Sequence, residues 1–260
     1  MWLMMGSWLG CFGEQSGSES SAAGVETLFS SAKSPLHEQI VLVEVDSWAA
    51  SSGRLSRLEW SIEKGWLPVG EAMDVAVGKE GLAWGIGLYD IPLQIGEALK
   101  MEGDSRSPAG IFSLSGGFGT ARKHMIKWNF PYLESNQSYK CITDSNSMHY
   151  NQIIHDKKVN VVDWTRFHEL RGDEHSYKWG ITVDHNPQNT KERGSCVFVH
   201  THSFEVAGTE VGMGLAERDI IQILPWLQST AKPILVQGPT EAMSRLLRAL
   251  EDVGIELPKK

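Results

Sequence analysis

The hydrophobic and polar positions after residue 37 follow the short period that is typical of β-strands. Residues 40–48 (IVLVEVDSW) alternate towards their end, and the segments 58–62, 66–69 and 73–77 follow with short turns between them. Successive side chains of a strand point to opposite faces of a sheet, so this pattern predicts half-buried strands. We therefore expect the domain to begin with several consecutive strands.

Glycines are dense between residues 81 and 119, which suits tight turns and close backbone packing in a β-rich domain. The pair Gly85-x-Gly87 lacks a third glycine and a following helical pattern, so we expect structural turns there rather than a dinucleotide site, and we expect no cofactor. Further along, β-branched and aromatic residues predict strands at 179–183 (WGITV) and 196–200 (CVFVH).

The C-terminal part of the chain changes to a helical period. In residues 217–227 (ERDIIQILPWL) apolar side chains recur on one helix face, and Pro225 should bend or shorten this helix. Residues 232–237 predict a strand. Residues 241–253 then predict a closing amphipathic helix that is capped by Thr240 and stopped by Gly254.

The composition is that of a globular protein. The chain has 260 residues, of which 41% are hydrophobic and 22% are charged. Its net charge is −8, and no stretch of Lys and Arg is dense enough to follow a phosphate backbone, which argues against nucleic acid as a partner. A spanning helix is not expected, because the sequence has no run of about 18 apolar residues unless its start belongs to a longer segment.

Three parts follow from these patterns: an apolar, uncharged start at 1–12, a Ser/Gly-rich linker at 13–36 and a domain at 37–260. The string WLGC at 8–11 resembles the end of a lipoprotein signal, in which a small residue precedes a cysteine that becomes lipidated. We expect export to the periplasm or cell envelope, with Cys11 as the candidate membrane attachment. A merely hydrophobic start is the alternative, because a basic N-terminal segment is missing.

Cys141 and Cys196 are the two cysteines of the domain. If Cys11 is lipidated or removed, they are an even pair that an oxidising compartment could join. Two separate buried thiols are the alternative, because a free cysteine packs as a small hydrophobe.

Several strings of the domain are informative as an ordered set. They are KMEGDSRSPAGIFSL at 100–114, FGTA at 118–121, PYL at 131–133, CITDSNSMHYNQII at 141–154, DW at 163–164, GITVDHN at 180–186 and GSCVFVHTHSFEVAGTEVGMGLAERDIIQILPWLQSTAKPILVQGP at 194–239. In this order they resemble an exported branch of the L,D-transpeptidase-like (YkuD-type) domain family. The resemblance implies a mainly β fold, a sandwich or barrel with a few helices including a C-terminal one, and peptidoglycan stem peptides as partners.

The family's chemistry, as the resemblance implies it, is acyl transfer through a cysteine thiolate that a histidine at a strand end activates. His200 matches the histidine, and Thr209 matches the threonine of the turn that carries the nucleophile. The nucleophile position itself is Gly212, and no cysteine follows Cys196. Ordinary transpeptidase chemistry is therefore not expected. If the scaffold is preserved, a cysteine installed at position 212 should gain a carbapenem adduct.

Other nucleophiles are the alternative. Cys196 lies four residues before His200 in one predicted strand, which puts the two residues roughly 13 Å apart. Cys141 could approach only through tertiary folding. A hydroxyl of Ser203 or Thr209 is much harder to activate than a thiol.

A metal is a second alternative. His200 and His202 should share a strand face at about 7 Å, and with His185 or His149 they could hold zinc. Packed or solvated histidines are the simpler interpretation, and no metal is predicted.

Four residues are predicted to bind substrate. Arg106 could hold a carboxylate through bidentate hydrogen bonds, with a surface arginine before a proline turn as the alternative. By the resemblance, His185 and Asn186 shape the rim of the site. A strand-ending turn is equally open for them, because Asn supports one. Thr209 completes the set.

Two classes of function follow. The favoured class is a pseudoenzyme that binds peptidoglycan stem peptides without acyl transfer, because a thioester cannot form without a nucleophilic side chain. The alternative is an active L,D-transpeptidase or L,D-carboxypeptidase that uses a relocated nucleophile or a histidine-bound metal.

Overall fold

The computed structural model describes residues 34–171, 177–205, 207–210 and 212–258. The predicted apolar start at 1–12 and Cys11 lie outside these described residues, and of the predicted linker only residues 34–36 lie within them. Neither helix in the described ranges has the length and hydrophobicity needed to span a lipid bilayer.

Strands dominate the described chain, which confirms the predicted mainly β fold class. The helices are α1 (Glu217–Ile223) and α2 (Thr240–Glu251), and short 3₁₀ turns lie at Lys123–Met125, Asp156–Lys158 and Ser229–Ala231. The strands are β1 (Gln39–Val45), β2 (Ser52–Ser61), β3 (Gly65–Pro68), β4 (Met73–Ala76), β5 (Leu82–Trp84), β6 (Ser107–Gly119), β7 (Tyr132–Glu134), β8 (Tyr139–Ile142), β9 (Ile153–His155), β10 (Phe167–Glu169), β11 (Gly180–Val183), β12 (Phe198–Thr201), β13 (Met213–Leu215) and β14 (Ile234–Pro239).

Eight of these strands form a ring, which we call the closed sheet. Its spatial order is β1, β14, β6, β11, β12, β13, β4 and β2, and β2 pairs again with β1. β3 pairs with β2, and β5 and β7 pair with β6. A separate sheet, which we call the small sheet, has the order β10-β8-β9.

The main core consists of apolar side chains from most strands of the closed sheet and from both helices. Val43, Ile111 and Leu235 have no exposed surface. Burying each such side chain contributes roughly 1.5–3 kcal/mol. The apolar face of α2 packs on β1 and β14, where its buried residues are Ala242, Met243, Leu246 and Leu250. The apolar spacing that predicted the C-terminal helix therefore corresponds to the buried face of α2.

Several glycines that suggested turns lie inside β6 instead. A Cβ atom on Gly110 would lie 2.7 Å from the Phe112 ring, and one on Gly117 would lie 2.8 Å from the Trp128 ring. These aromatic rings lie directly against the backbone of the strand. The glycines are required by this close packing, which leaves no room for a side chain.

The predicted C-terminal helices have different ends in the structure. The first helix ends at Ile223 rather than at residue 227, because Pro225 cannot continue a helix. The cap predicted for Thr240 is wrong: Pro239 is the N-cap residue of α2. The Thr240 hydroxyl instead lies within hydrogen-bond distance of Glu44 and Val45 of β1.

Candidate functional site around His200

His200 lies near the end of β12, between two glycines of the neighbouring strands. Its register partners are Gly180 on β11 and Gly214 on β13. Only 8% of the residue is exposed. Its Nδ1 atom lies 2.9 Å from the carbonyl oxygen of Thr201, so Nδ1 carries the hydrogen and donates it.

Aromatic rings surround this imidazole. The ring centroid of Tyr177 lies 5.6 Å from that of His200, and the centroid of His202 lies 6.5 Å away. His200 and His202 therefore share a face of the strand, as their spacing predicted. Nothing in the local sequence pattern pointed to Tyr177, which reaches the site from the segment before β11.

Gly212 begins the turn into β13 and packs directly on β12. Its φ is +78°, a conformation that residues with a Cβ atom rarely adopt. A Cβ atom there would lie 2.0 Å from the carbonyl oxygen of Phe198 and 2.7 Å from the nitrogen of Phe198. Position 212, which the sequence resemblance assigns to a nucleophile, therefore has no room for any side chain.

The packing at Gly212 argues against the expectation that a cysteine at position 212 would react with a carbapenem. The Cβ atom of Gly212→Cys would point into the main chain of Phe198 rather than towards His200. The thiol could reach the imidazole only after β12 and the turn had separated.

The turn before Gly212 is fixed by hydrogen bonds. The hydroxyls of Ser107 and Thr209 both donate to the carbonyl oxygen of Gly212. The backbone N–H of Thr209 donates to the carbonyl oxygen of Val77 at 2.8 Å, and the N–H of Lys79 donates to the carbonyl oxygen of Thr209 at 3.0 Å. Thr209 is thus buried and holds the turn. Its hydroxyl hydrogen is committed to Gly212, which does not favour Thr209 as a nucleophile.

Cys141 and Cys196 form a disulfide, which settles the question that the sequence left open. The bond joins β8 of the small sheet to the residue two positions before β12. Cys196 has φ +55° and lies outside the strand, so the predicted strand at 196–200 begins later, at Phe198. In this disulfide-bonded chain neither cysteine offers a thiolate, and the alternative of a relocated cysteine nucleophile is therefore wrong.

One residue of the small sheet, His168, lies near the turn. His168 on β10 is partly buried, and burial lowers the pKa of its imidazole, while the nearby Glu210 opposes that shift. Glu210 itself bonds to Lys79 across the turn. The sequence reasoning missed His168, because its neighbours at the turn lie about forty residues away along the chain.

Arg106 lies on the same side of the closed sheet as the turn. It lines a shallow cleft of about 210 Å³ together with Trp48 and Lys79. Its backbone N–H donates to Asp104 at 3.0 Å. Because Lys79 also bonds to Thr209, the structure brings Arg106 close to the turn that carries Gly212.

His185 and Asn186 lie elsewhere. They follow β11 at the end opposite to Gly180, so they lie roughly 16 Å along the strand direction from the His200 pair. The Asn186 side chain donates to the carbonyl oxygens of Thr190 and Gly194 and accepts from the N–H of Thr190. Asn186, with φ +53°, therefore organises the loop that follows the strand.

His185 packs in the interior beside that loop. Its Nε2 donates to the carbonyl oxygen of Arg193 at 2.8 Å, and burial lowers its pKa to about 4. A zinc site made of His200, His202 and His185 is therefore excluded by distance. Within the described ranges no group of three or more His, Cys, Asp or Glu side chains is placed to hold a metal ion.

Comparison of the chain with protein-family models, with curated proteins and with solved structures gave no match.

Proposed function

We propose that this chain is an exported cell-envelope protein that binds peptidoglycan stem peptides without acyl transfer. The proposal rests on the ordered strings that resemble the L,D-transpeptidase-like family and on the chemistry of the site. The single observation that supports the absence of acyl transfer is the packing of Gly212 against Phe198, which leaves no space for a side chain at position 212.

The remaining nucleophile candidates support the same conclusion. Cys141 and Cys196 are consumed in a disulfide. The Thr209 hydroxyl is buried and donates to Gly212, and the Ser203 hydroxyl lies on an exposed loop, 3.4 Å from the backbone N–H of Glu205. A base without a nucleophile cannot start covalent catalysis.

The disulfide also supports the predicted location. Structural disulfides persist in oxidising compartments such as the periplasm and are rare in the cytosol. Export with lipid attachment at Cys11 is part of the proposal.

His200 and its aromatic neighbours offer what a peptide ligand requires. The rings of Tyr177 and His202 provide flat apolar surface around the imidazole of His200. Arg106, near the same turn, supplies a cation for a terminal carboxylate.

The test is co-sedimentation of the full chain with purified peptidoglycan sacculi, combined with intact-mass measurement after incubation with a carbapenem. We expect saturable sedimentation, about fivefold weaker binding for His200→Ala, and no mass shift. His124→Ala, which changes an exposed histidine on a 3₁₀ turn, is the matched control. A carbapenem adduct, or newly cross-linked muropeptides, would show instead that the chain is an active enzyme.

A further inference from the structure

A cleft runs between the outer face of the closed sheet and the small sheet. It consists of two adjoining hollows of about 330 and 360 Å³, which share Ser115, Ile153 and Thr182 as walls. Each hollow has the size of a small-ligand pocket, for which volumes start at about 300 Å³. We call it the Asp184 cleft after the carboxylate at one end.

The polar end is built around a β-bulge. The register between β6 and β11 passes from Thr182–Gly116 to Val183–Leu114, so Ser115 has no partner of its own and its side chain is redirected. Its hydroxyl donates to Asp184 at 2.6 Å and lies 2.9 Å from the hydroxyl of Thr182. The hydroxyls of Ser115 and Thr182 thus form a polar surface next to the Asp184 carboxylate.

The charge of Asp184 is not balanced within the described ranges. No Lys, Arg or His side chain there forms an ion pair with it, and Ser115 is the one side chain that donates to it. Burial raises the pKa of the Asp184 carboxyl, because desolvation penalises the charged form. A cation that entered the cleft would offset this penalty, since electrostatic attraction is stronger where solvent is displaced.

The other end of the cleft is apolar. Pro131, Tyr132 and Leu133 line it, next to the buried ring of Phe118. Phe118 lies three positions after Ser115 on β6, and Leu133 is its register partner on β7, which places this end about 10 Å along the strand from Ser115. The cleft therefore matches a ligand with a cation at one end and an apolar group about 10 Å away.

The Asp184 cleft is distinct from the His200 site. The rings of Phe118 and Phe198 pack at 4.7 Å, and Tyr177 packs on both of them. Tyr177 also packs on His200, so this aromatic cluster lies between the cleft and that imidazole. Neither His200 nor His202 lines either hollow of the cleft.

We propose that the Asp184 cleft binds short peptides that carry a primary ammonium group, which pairs with Asp184, and an apolar side chain, which lies on Tyr132 and Leu133. The ammonium group balances the negative charge of the carboxylate and can also donate a hydrogen bond to the hydroxyl oxygen of Thr182. This site is independent of the function proposed for the surface around His200.

The test uses the full chain, labelled with ¹⁵N, and the probe N-acetyl-lysyl-alanyl-leucine amide. We expect saturable shifts of the backbone amides of Ser115, Gly116 and Asp184, with no comparable shift at His200. The same peptide with an acetylated lysine side chain should bind about tenfold more weakly or not at all, because it has lost the charge-assisted hydrogen bond.

Two variants test the contributions of the polar and apolar ends of the cleft separately. Asp184→Asn keeps the shape of the side chain and should weaken binding about tenfold, whereas Asp46→Asn, on an exposed turn, should not change it. Gly116→Val fills the apolar part: a Cβ atom at Gly116 comes no closer than 3.4 Å to its neighbours, so the strand should tolerate the change while binding is lost.

Equal binding of the charged and acetylated probes, or unchanged binding by Asp184→Asn, would overturn the proposal. Shifts centred on His200 would assign the peptide to the other site and overturn it as well. Sedimentation with sacculi provides a separate measurement, so that failure here does not decide the function proposed above.

Discussion

A Cβ atom built on Gly212 would lie 2.0 Å from the carbonyl oxygen of Phe198. The turn and β12 therefore pack backbone against backbone at the position that the sequence resemblance assigns to a nucleophile. The absence of a side chain at position 212 is accordingly required by the packing of the backbone. This relationship leads to the first prediction.

Gly212→Ala should lower the free energy of unfolding by at least about 2 kcal/mol, because it adds backbone strain at positive φ to a clash with Phe198. Gly103→Ala is the matched control, since Gly103 has a similar φ of +73° but nothing within 4 Å of its Cβ position. It should cost about 1 kcal/mol. Urea unfolding of both variants measures the difference.

Gly212→Cys belongs to the same comparison. We expect it to be destabilised like the alanine variant and to give no carbapenem adduct by intact mass. Rapid labelling with unchanged stability would mean that the turn can reorganise to present a thiol to His200, against the packing described above.

The disulfide gives the second prediction. Cys141 and Cys196 close a loop with a sequence separation of 55 residues, and the chain-entropy relation gives about 4 kcal/mol for a loop of that length. We expect the double alanine variant to lose about 3 kcal/mol of stability, because the reduced chain retains some structure.

Hydrogen exchange should show where that stability is lost. Amides of β8 and β10 should lose protection first, whereas those of β1 and β14 should change only with global unfolding. Cys11→Ala removes a cysteine that takes no part in this bond and serves as control. A uniform loss of protection would contradict the view that the disulfide holds the small sheet on the closed sheet.

The sequence predicted those features that depend on local pattern. Alternation located the strands near residues 40–48 and 73–77, and helical spacing located α2. The resemblance grouped His200 with Gly212, and in the structure His200 lies on β12 while Gly212 directly precedes the neighbouring strand β13. These features could be predicted because the spacing of apolar side chains and the residues of a turn are encoded within a few consecutive positions.

Other features depend on tertiary contacts and left no local signal. Tyr177 and His168 reach the site from distant segments, and the Cys141–Cys196 pairing required the small sheet to fold over β12. The glycines of β6 suggested turns because their packing against Trp128 and Phe112 cannot be read from spacing. The resemblance predicts His185 at the rim of the site, whereas it follows the end of β11 that is opposite to the Gly180–His200 pair.

A partly buried ion pair gives the third prediction. Lys100 and Asp104 form a salt bridge in which the side chains are 8% and 19% exposed. Asp104→Asn would leave the Lys100 ammonium group buried without its counter-charge, so we expect a loss of about 3 kcal/mol. The exposed pair of Arg54 and Asp74 is the control, and Asp74→Asn should cost less than about 1 kcal/mol. Similar losses in the two variants would contradict the role of burial.

The fourth prediction concerns the dependence of stability on pH. Burial lowers the pKa of His185 to about 4 from the ordinary value of 6.5, and it lowers the pKa values of His37 and His168 as well. The unfolded chain therefore binds protons that the folded chain does not, so stability is complete above pH 6.5 and is lost as the pH falls towards 4. The expected contribution of His185 to this loss is about 3 kcal/mol.

His185→Phe should flatten the fall in the free energy of unfolding between pH 6.5 and 4.5, by about 2 kcal/mol over that window. The carboxyls with lowered pKa, such as Asp144 and Asp163, lose their contributions only below the ordinary pKa of an aspartate, 3.8. The raised pKa of Asp184 makes the folded chain more stable as the pH falls, which opposes the effect of His185. Both His185→Phe and the parent chain contain Asp184, so this contribution cancels in the comparison. His124→Gln, at an exposed position, should leave the pH profile unchanged. Parallel profiles for His185→Phe and the parent chain would mean that His185 is not buried as a neutral imidazole.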